Sequence, residues 1–358
     1  MNSASDTAAN TQTTPPTLVS PSGPLLEVRR LIKHFPVKNL VGLRKLSVRA
    51  VDDISFRVDA GETLGVVGES GCGKSTTARL LMHLLDPSSG EIIFDGMRVG
   101  SRELPLKEFR RQVQMVFQDS YASLNPRMTI ESSIAYGARV HGVSASKATA
   151  RARELLNQVG LDYQRFAGRY PHELSGGQRQ RVNIARALAV QPRLLILDEA
   201  VSALDKSVEA QVLNLLAELK QRYGLTYIFI SHDLHVVRYV SDRVMVMYLG
   251  EVVEIGPSES LFSEAAHPYT RALIASMPSM DPDHRTETVP LGGDPPNPIN
   301  PPTGCRFHPR CPIAFADCSR KIPPLESVSA SHQVACLAFN AQGHTSRSTK
   351  GAPGRISP

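Results

Sequence analysis

The chain has 358 residues, with 40 Lys and Arg against 34 Asp and Glu, which gives a formal net charge of +6 at pH 7. This length allows one large hydrophobic core and a smaller appended unit, and the mild charge does not by itself favour a nucleic-acid ligand. No apolar run approaches the ~18 residues that could span a bilayer.

Residues 1–24 are rich in Ser, Thr, Pro and Ala and have no apolar periodicity, which predicts a disordered tail. The first residues lack the basic and apolar parts of a signal peptide, so we expect a cytosolic protein. Strand-like segments follow at Leu25–Leu31 and Val48–Val58. The basic insert between them, 36–48, is interpreted as a solvated loop, and contact with anionic lipid or a partner is the alternative.

A glycine-rich stretch follows the apolar run Thr63–Val67 and opens the run Thr77–Met82. The order of strand, glycine turn and helix is typical of a phosphate-binding loop, in which backbone N–H groups and the helix N-terminus face phosphate oxygens. Lys74 would supply a charge for the outer phosphates and Ser75 a hydroxyl for Mg²⁺. The residues predicted to bind a nucleoside triphosphate are Gly68, Glu69, Ser70, Gly71, Cys72, Gly73, Lys74, Ser75 and Thr76.

Residues 126–184 are predicted to be mostly helical and to include a helix over Lys147–Val159. Near the end of this region a second glycine turn precedes a helix, with the residues Ser175, Gly176, Gly177 and Gln178. Such a helix N-terminus attracts anions, and in a dimer it could close over the triphosphate held by the other subunit. A plain N-cap is the alternative that these residues leave open.

A buried strand, Leu194–Leu197, is followed directly by Asp198 and Glu199. One carboxylate is expected near Mg²⁺ and the other near the attacking water. Strands alternate with helices from here on, which indicates an α/β fold with a sheet covered on both faces. The helix predicted over Ser207–Gln221 has one apolar face for core packing, and the strands on either side of Gly250 are predicted to form a closing hairpin.

The composition changes beyond residue 275. Proline is too dense between residues 276 and 302 for helix interiors or central strands, which predicts an extended linker. Four of the five cysteines follow it: Cys305, Cys311, Cys318 and Cys336. A cytosolic chain seldom uses disulfides, so these thiols suggest a metal, although the Cys-x2-Cys pair of common zinc sites is missing.

The cysteine segment has few apolar side chains, so we expect it to need a metal as a cross-link. Basic residues lie near the cysteines in the sequence, among them Arg306 and Arg310. We expect their charges to offset those of the thiolates.

The chain resembles the ATP-binding subunits of ABC transporters over about residues 26–275, because the motifs of that family occur here in its order. The matching positions are Phe35 for adenine stacking, Gly68–Thr76 for Walker A, Gln118 for the Q-loop, Ser175–Gln178 for the signature motif, Asp198 for Walker B, Glu199 for the catalytic glutamate, Asp205 for the D-loop and His232 for the switch histidine. The resemblance implies catalytic roles for Lys74, Gln118, Glu199 and His232, and Mg²⁺ ligands at Ser75, Gln118 and Asp198. Ala200 departs from the pattern, since relatives usually carry Pro there.

The resemblance implies a P-loop NTPase (RecA-like) ABC nucleotide-binding domain at 25–275, with a helical subdomain at about 126–184. A proline-rich linker and a cysteine-containing extension would occupy 276–340, and a disordered tail 341–358. Three stretches look like the peptide-importer branch of the family, which also takes up nickel or glutathione: Gln118–Pro126, His267–Leu273 and the cysteine segment starting at Cys305. In some members the four cysteines hold a [4Fe–4S] cluster; zinc and free thiols are the alternatives.

This resemblance implies an ATP-hydrolysing subunit that drives uptake of dipeptides or oligopeptides. Its expected partners are a second ABC ATPase subunit, two membrane-spanning permease subunits and an extracytoplasmic peptide-binding protein, with no nucleic acid. Its expected location is the cytoplasmic face of the inner membrane, as a peripheral subunit. The competing hypothesis is a soluble ABC ATPase that acts on ribosomes or DNA, but the second cassette or coiled-coil insertion usual for that class is missing.

Overall fold

A computed structural model describes residues 23–37, 46–277 and 292–339. The two predicted tails lie almost entirely outside these residues, as do most of the basic insert and the first part of the predicted linker. The described part of the linker, 292–302, contains no helix or strand, which agrees with the prediction for that stretch.

In the part of the chain that the structure describes, twelve strands lie in two sheets. They are β1 (Leu26–Val37), β2 (Leu46–Val58), β3 (Thr63–Val67), β4 (Ser89–Phe94), β5 (Met97–Arg98), β6 (Val113–Val116), β7 (Leu194–Asp198), β8 (Thr226–Ile230), β9 (Arg243–Tyr248), β10 (Glu251–Pro257), β11 (Glu326–Ser329) and β12 (His332–Val334). The smaller sheet is antiparallel, in the order β2-β1-β4-β5. The larger sheet has eight strands in the order β11-β12-β10-β9-β3-β8-β7-β6.

Ten α-helices accompany these strands in the described residues. They are α1 (Lys74–Leu81), α2 (Leu106–Gln112), α3 (Ile130–Val140), α4 (Ala145–Gln158), α5 (Tyr163–Phe166), α6 (Gly176–Leu188), α7 (Lys206–Tyr223), α8 (Leu234–Val240), α9 (Ser258–Ser263) and α10 (Pro268–Ala275).

Strands β9, β3, β8, β7 and β6 run parallel and form one side of the large sheet, with β6 at its edge. Nearly every residue of these strands is buried, as expected for a parallel sheet covered on both faces. Ligands of such sheets bind outside the carboxyl ends of the strands. Here β3 ends at Val67, directly before Gly68, and β7 ends at Asp198, directly before Glu199, so the two main motifs lie at the same edge of the sheet.

The predicted secondary structure is confirmed at several points. Helix α4 covers the predicted Lys147–Val159 to within two residues, and Ser144 caps its N-terminus by accepting a hydrogen bond from the N–H of Lys147. Helix α7 buries Val212, Leu215 and Leu219 of the predicted apolar face, while Val208 of the same face is half-buried. Strands β9 and β10 pair antiparallel around Gly250. The domain boundaries remain a prediction.

Strand β12 was not expected from the sequence. This strand of the cysteine-containing extension pairs with β10, matching Glu254 with Val334 and Ile255 with Gln333, so the extension continues the main sheet. His332 adds a buried hydrogen bond, 2.8 Å from its Nε2 to Oε1 of Glu254. The extension is therefore attached to the ATP-binding domain by a sheet and a buried side-chain contact, apart from any cross-link that a metal would supply.

Candidate active site

The phosphate-binding loop has the backbone that its glycines allow. Gly68, Gly71 and Gly73 have φ values of 149°, 78° and 111°, which L side chains rarely adopt. A Cβ at Gly73 would lie 2.3 Å from the carbonyl oxygen of Ala50. The side chain of Lys74 curls over the loop, and its Nζ donates to the carbonyl oxygens of Gly68 at 2.7 Å and Glu69 at 3.0 Å.

A hydroxyl and a carboxylate meet where Mg²⁺ was predicted. Ser75 Oγ donates to Oδ1 of Asp198 at 3.0 Å, across the gap between the start of α1 and the end of β7. Burial raises the pKa of Asp198, and the neighbouring Glu199 carboxylate adds to the rise. Hard oxygen donors of this kind fit Mg²⁺, and the charge of a bound cation would favour the ionised carboxylate.

Three predicted catalytic side chains converge at the same edge. Gln118 Nε2 donates to Oε2 of Glu199 at 2.8 Å, and Nδ1 of His232 lies 3.5 Å from the same oxygen. Glu199 has a φ of 48°, an uncommon backbone conformation for a residue other than glycine. Such strain is often found at functional sites.

These side chains face a cleft of about 440 Å³. Its lining combines the phosphate-binding loop with the ends of neighbouring strands: Val48, Ala50, Ser70, Gly71, Gly73, Lys74, Ser75, Thr76, Gln118, Glu199 and His232. The cleft therefore brings together phosphate-binding N–H groups, a lysine, a carboxylate and a histidine, which is the equipment needed to bind and hydrolyse a triphosphate.

Phe35 lies beside this cleft rather than in its lining. It is half-buried on β1 and pairs with Val48, which does line the cleft. Nζ of Lys33 lies 5.2 Å from the centre of the Phe35 ring. An aromatic face at this position fits the predicted adenine contact, which remains a prediction.

The signature residues do not line the cleft and lie at the N-terminus of α6. Ser175 Oγ accepts from the N–H of Gln178 at 3.3 Å, and Gln178 Oε1 accepts from the N–H of Ser175 at 3.0 Å. This is a capping box, so the structural alternative for Ser175 is realised in the single chain. Gly177 must be small, because a Cβ there would lie 2.4 Å from Cγ1 of Val208. Asp205, of the D-loop, is exposed and precedes α7 as its N-cap residue.

Two residues from the C-terminal part of the chain, Tyr269 and Arg310, contact the phosphate-binding loop, and neither role was expected from the sequence. Tyr269 Oη accepts a hydrogen bond of 2.9 Å from the N–H of Glu69. Arg310 donates to both carboxylate oxygens of Glu69, at 2.8 and 3.1 Å. The sequence feature that could have indicated the Arg310 contact is Glu69 itself. An acidic side chain inside a phosphate-binding loop favours a nearby cation that offsets its charge.

The expectation that Arg306 and Arg310 serve the thiolates was wrong. Arg306 is buried between the carboxylates of Asp52 and Glu251, and Arg310 pairs with Glu69. Burial of these guanidinium groups demands close counter-charges, which the ATP-binding domain supplies.

The four cysteines of the extension lie near one another. Burial, with a smaller contribution from the thiols of Cys318, Cys336 and Cys311, raises the pKa of Cys305 to about 11. The sulfur atoms of Cys305, Cys311 and Cys336 each accept a backbone N–H, from Phe307, Ile313 and Ala338 respectively. Even so, within the described part of the chain no three His, Cys, Asp or Glu side chains are placed closely enough to hold a metal ion.

Among the described residues, no helix combines the length and the apolar character needed to cross a bilayer.

Comparison with known proteins covers most of the chain. The ABC transporter family model matches residues 51–202, and the model described as oligopeptide/dipeptide transporter, C-terminal region, matches residues 253–318. A probable peptide ABC transporter ATP-binding protein of Sinorhizobium fredii is 52% identical over 88% of this chain and 90% of its own length. An oligopeptide transport ATP-binding protein of Bacillus subtilis is 48% identical over 88% of this chain and 98% of its own.

Two solved structures are similar in fold. One is cbiO1 from Clostridium perfringens, part of an ABC transporter complex, with a TM-score of 0.58 and 29% identity over 67% of this chain and 91% of that one. The other is a dimeric ATP-binding cassette in a post-hydrolysis state with ADP and Pi, with a TM-score of 0.56 and 28% identity over 65% of this chain and 98% of that one.

Proposed function

Since the chain belongs to the family of peptide ABC transporter ATP-binding proteins, we propose that it is the ATP-hydrolysing subunit of an importer that drives the uptake of dipeptides or oligopeptides. One structural observation carries most of the weight. Lys74, Gln118, Glu199 and His232 come from four separate parts of the chain and line the same cleft. A structural role would not require these four to meet.

Within this cleft each side chain has a distinct task. Lys74 binds the outer phosphates, and Glu199 polarises the water that attacks the terminal phosphorus. His232 contacts the terminal phosphate and helps to stabilise the charge that develops on it. Ser75, Gln118 and Asp198 would hold Mg²⁺, which supplies positive charge to the phosphate oxygens when bound.

The signature residues are assigned to a second ATPase subunit. Ser175 and its two glycines begin a helix of 13 residues, and a helix N-terminus favours an anion, but no residue of this motif lines the cleft described above. In a dimer, each subunit would present this N-terminus to the triphosphate held by the other. The assignment explains why one chain carries two separate phosphate-binding features.

Two permease subunits are proposed to dock near Gln118, at the cytoplasmic face of the inner membrane. Tyr121 follows Gln118 closely in the chain and is half-exposed. The segment that contains Gln118 and Tyr121 is bonded to helix α6, since Asn183 Nδ2 donates to the carbonyl oxygen of Ser120 at 3.0 Å. Movement of a docked permease could therefore reach the signature helix directly.

Co-expression tests this proposal. The chain should move to the membrane fraction when the permease subunits encoded beside it are co-expressed, and ATP hydrolysis by the complex should increase when the peptide-binding protein and peptide are added. A Lys74→Ala complex should assemble at the membrane without hydrolysing ATP at this chain's site. If the chain remains soluble beside folded permeases, the transport proposal is wrong.

A [4Fe–4S] cluster is proposed for the four cysteines of the extension. The donor set supports it: four neighbouring thiols, three of which accept backbone N–H groups, as the sulfur ligands of iron–sulfur centres commonly do. The geometry described above does not yet form a metal cage, so ligation would require the thiols to draw together. Zinc and free thiols remain the alternatives.

A further inference from the structure

Glu69 is an acidic side chain inside the phosphate-binding loop, where it would repel a triphosphate. Three contacts fix its position. Its N–H donates to Tyr269 Oη, its carbonyl oxygen accepts from Lys74 Nζ, and its carboxylate binds Arg310. Two of these three partners, Tyr269 and Arg310, come from the end of the chain rather than from the loop itself.

The contact with Arg310 has the geometry of a strong ion pair. Two guanidinium nitrogens reach the two carboxylate oxygens at 2.8 and 3.1 Å, a bidentate arrangement. The Arg310 side chain is 6% exposed, and that of Glu69 is 22% exposed, so solvent screens the pair only in part. Nε of Arg310 also donates to the carbonyl oxygen of Gly292 at 3.0 Å, which fixes the plane of the guanidinium group.

The segment that carries Arg310 is itself anchored in the core. Phe307 is 1% exposed and packs edge-on against Tyr248, with ring centres 5.4 Å apart, and equally close to Tyr269. Arg306 binds the carbonyl oxygen of Leu249 and the carboxylate of Asp52. Gly250, which follows Leu249 in the chain, donates its N–H to the carbonyl oxygen of Cys72 in the phosphate-binding loop.

The segment Cys305–Cys311 thus supports the phosphate-binding loop at two places. Arg310 binds Glu69 directly, and Arg306 holds the turn at Leu249 whose next residue, Gly250, binds Cys72. We propose that Arg310 is a positioning residue for nucleotide binding, which neutralises the Glu69 carboxylate and holds it away from the phosphates. The cysteine-containing extension then raises the affinity of the ATP site, besides any role of its thiols. This inference rests on the ATP-binding function proposed above.

Binding of a fluorescent ATP analogue to the purified full-length chain tests this role. Arg310→Gln should weaken binding about tenfold, equivalent to about 1.4 kcal/mol, because an unpaired carboxylate then faces the phosphates. Adding Glu69→Gln to that variant should restore most of the affinity, since the repelling charge is gone. Arg310→Lys, which keeps the charge but not the bidentate geometry, should lie between the parent and Arg310→Gln.

The matched control is Arg320→Gln, an exposed arginine of the same extension, which should bind the analogue like the parent. Thermal unfolding of each variant reports whether it is folded. The proposal is overturned if folded Arg310→Gln and Arg310→Lys bind like the parent. It is also overturned if the double variant binds as weakly as Arg310→Gln, because Arg310 would then support only the fold. A parent chain that does not bind the analogue would instead contradict the ATP-binding function itself.

Discussion

Gln118 donates a hydrogen bond of 2.8 Å to Glu199, although 81 residues separate them in the chain. The sheet explains the contact, because β6 and β7 are parallel neighbours in which Val116 is paired with Leu197. Strand β8 lies on the other side of β7 and leads to His232. Three adjacent strands therefore deliver the amide, the carboxylate and the imidazole to one edge, as open α/β sheets do for their ligands.

Glu199→Gln should abolish hydrolysis while preserving ATP binding. The amide keeps the size of the side chain and can still accept the hydrogen bond from Gln118. It lacks the negative charge of the carboxylate, which orients and polarises the attacking water. We expect phosphate release at this site to fall by at least about 100-fold, the usual range for a lost general base. The measurement is steady-state phosphate release by the assembled transporter with only this chain altered.

The matched comparison is Lys74→Ala, which should lose ATP affinity as well as hydrolysis because Lys74 contacts the phosphates. If the Glu199→Gln complex releases phosphate at the parent's rate, this chain's site is silent and the partner ATPase does the work.

Ser175→Asn separates the two roles proposed for the signature serine. Asparagine is as good an N-cap as serine, so the stability of the chain should change by less than about 0.5 kcal/mol. Its larger amide should not fit against the phosphate of the neighbouring subunit, so hydrolysis by the complex should fall at least about tenfold. The measurements are the melting temperature of the isolated chain and phosphate release by the complex.

Ser175→Ala is the control that removes the cap as well as the phosphate contact. It removes the hydroxyl that accepts from the N–H of Gln178, so it should lower both stability, by about 1 kcal/mol, and hydrolysis. Full activity of a stable Ser175→Asn complex would show that Ser175 serves only as a cap.

Much of the candidate site could be placed from the sequence, because its motifs are local and their order along the chain is informative. A glycine turn between a strand and a helix determines the shape of the loop that contains Lys74. Two carboxylates at the end of a buried strand must lie at the sheet edge, which places Asp198 and Glu199. Only the meeting of these parts in one cleft required the three-dimensional structure.

The role of the extension could not be predicted in the same way. Arg310 and Glu69 lie 241 residues apart, and a single ion pair leaves no periodicity in a sequence. Strand β12 has only three residues, too few to show an alternating pattern. A low count of apolar side chains suggested a weakly ordered unit, but one of them, Phe307, is buried in the core of the ATP-binding domain.

Acid should destabilise the chain through His267. Burial lowers its pKa to about 4, while in the unfolded chain the imidazole takes up its proton near pH 6.5. Its neutral form therefore favours folding above pH 6.5, and this contribution is lost as the pH falls from about 6.5 to about 4. At about 1.4 kcal/mol per pH unit, the total loss is on the order of 3 kcal/mol.

The test compares the melting temperatures of the parent and His267→Asn between pH 7 and pH 5. Asparagine can still accept the N–H of Tyr269, as Nδ1 of His267 does, but it does not titrate in this range. The parent should lose more stability than the variant on acidification. Glu251 acts in the opposite sense, because burial raises its pKa to about 7, so Glu251→Gln should make the acid loss steeper. Parallel pH profiles for the parent and His267→Asn would contradict the prediction.

The last prediction concerns the metal content of the four cysteines of the extension. Purified without oxygen, the chain should be brown and carry about four irons and four acid-labile sulfides, as ligation of one [4Fe–4S] centre by four thiolates requires. Cys311→Ser should lose the colour and most of the iron. Cys72→Ser is the matched control, because Cys72 lies buried beside Lys74 in the phosphate-binding loop, and the iron content should not change. Stoichiometric zinc without sulfide would favour the tetrahedral alternative. Metal-free protein from anaerobic cells would leave the four thiols a packing role, which the contact of Cys305 and Cys311 with the main core already provides.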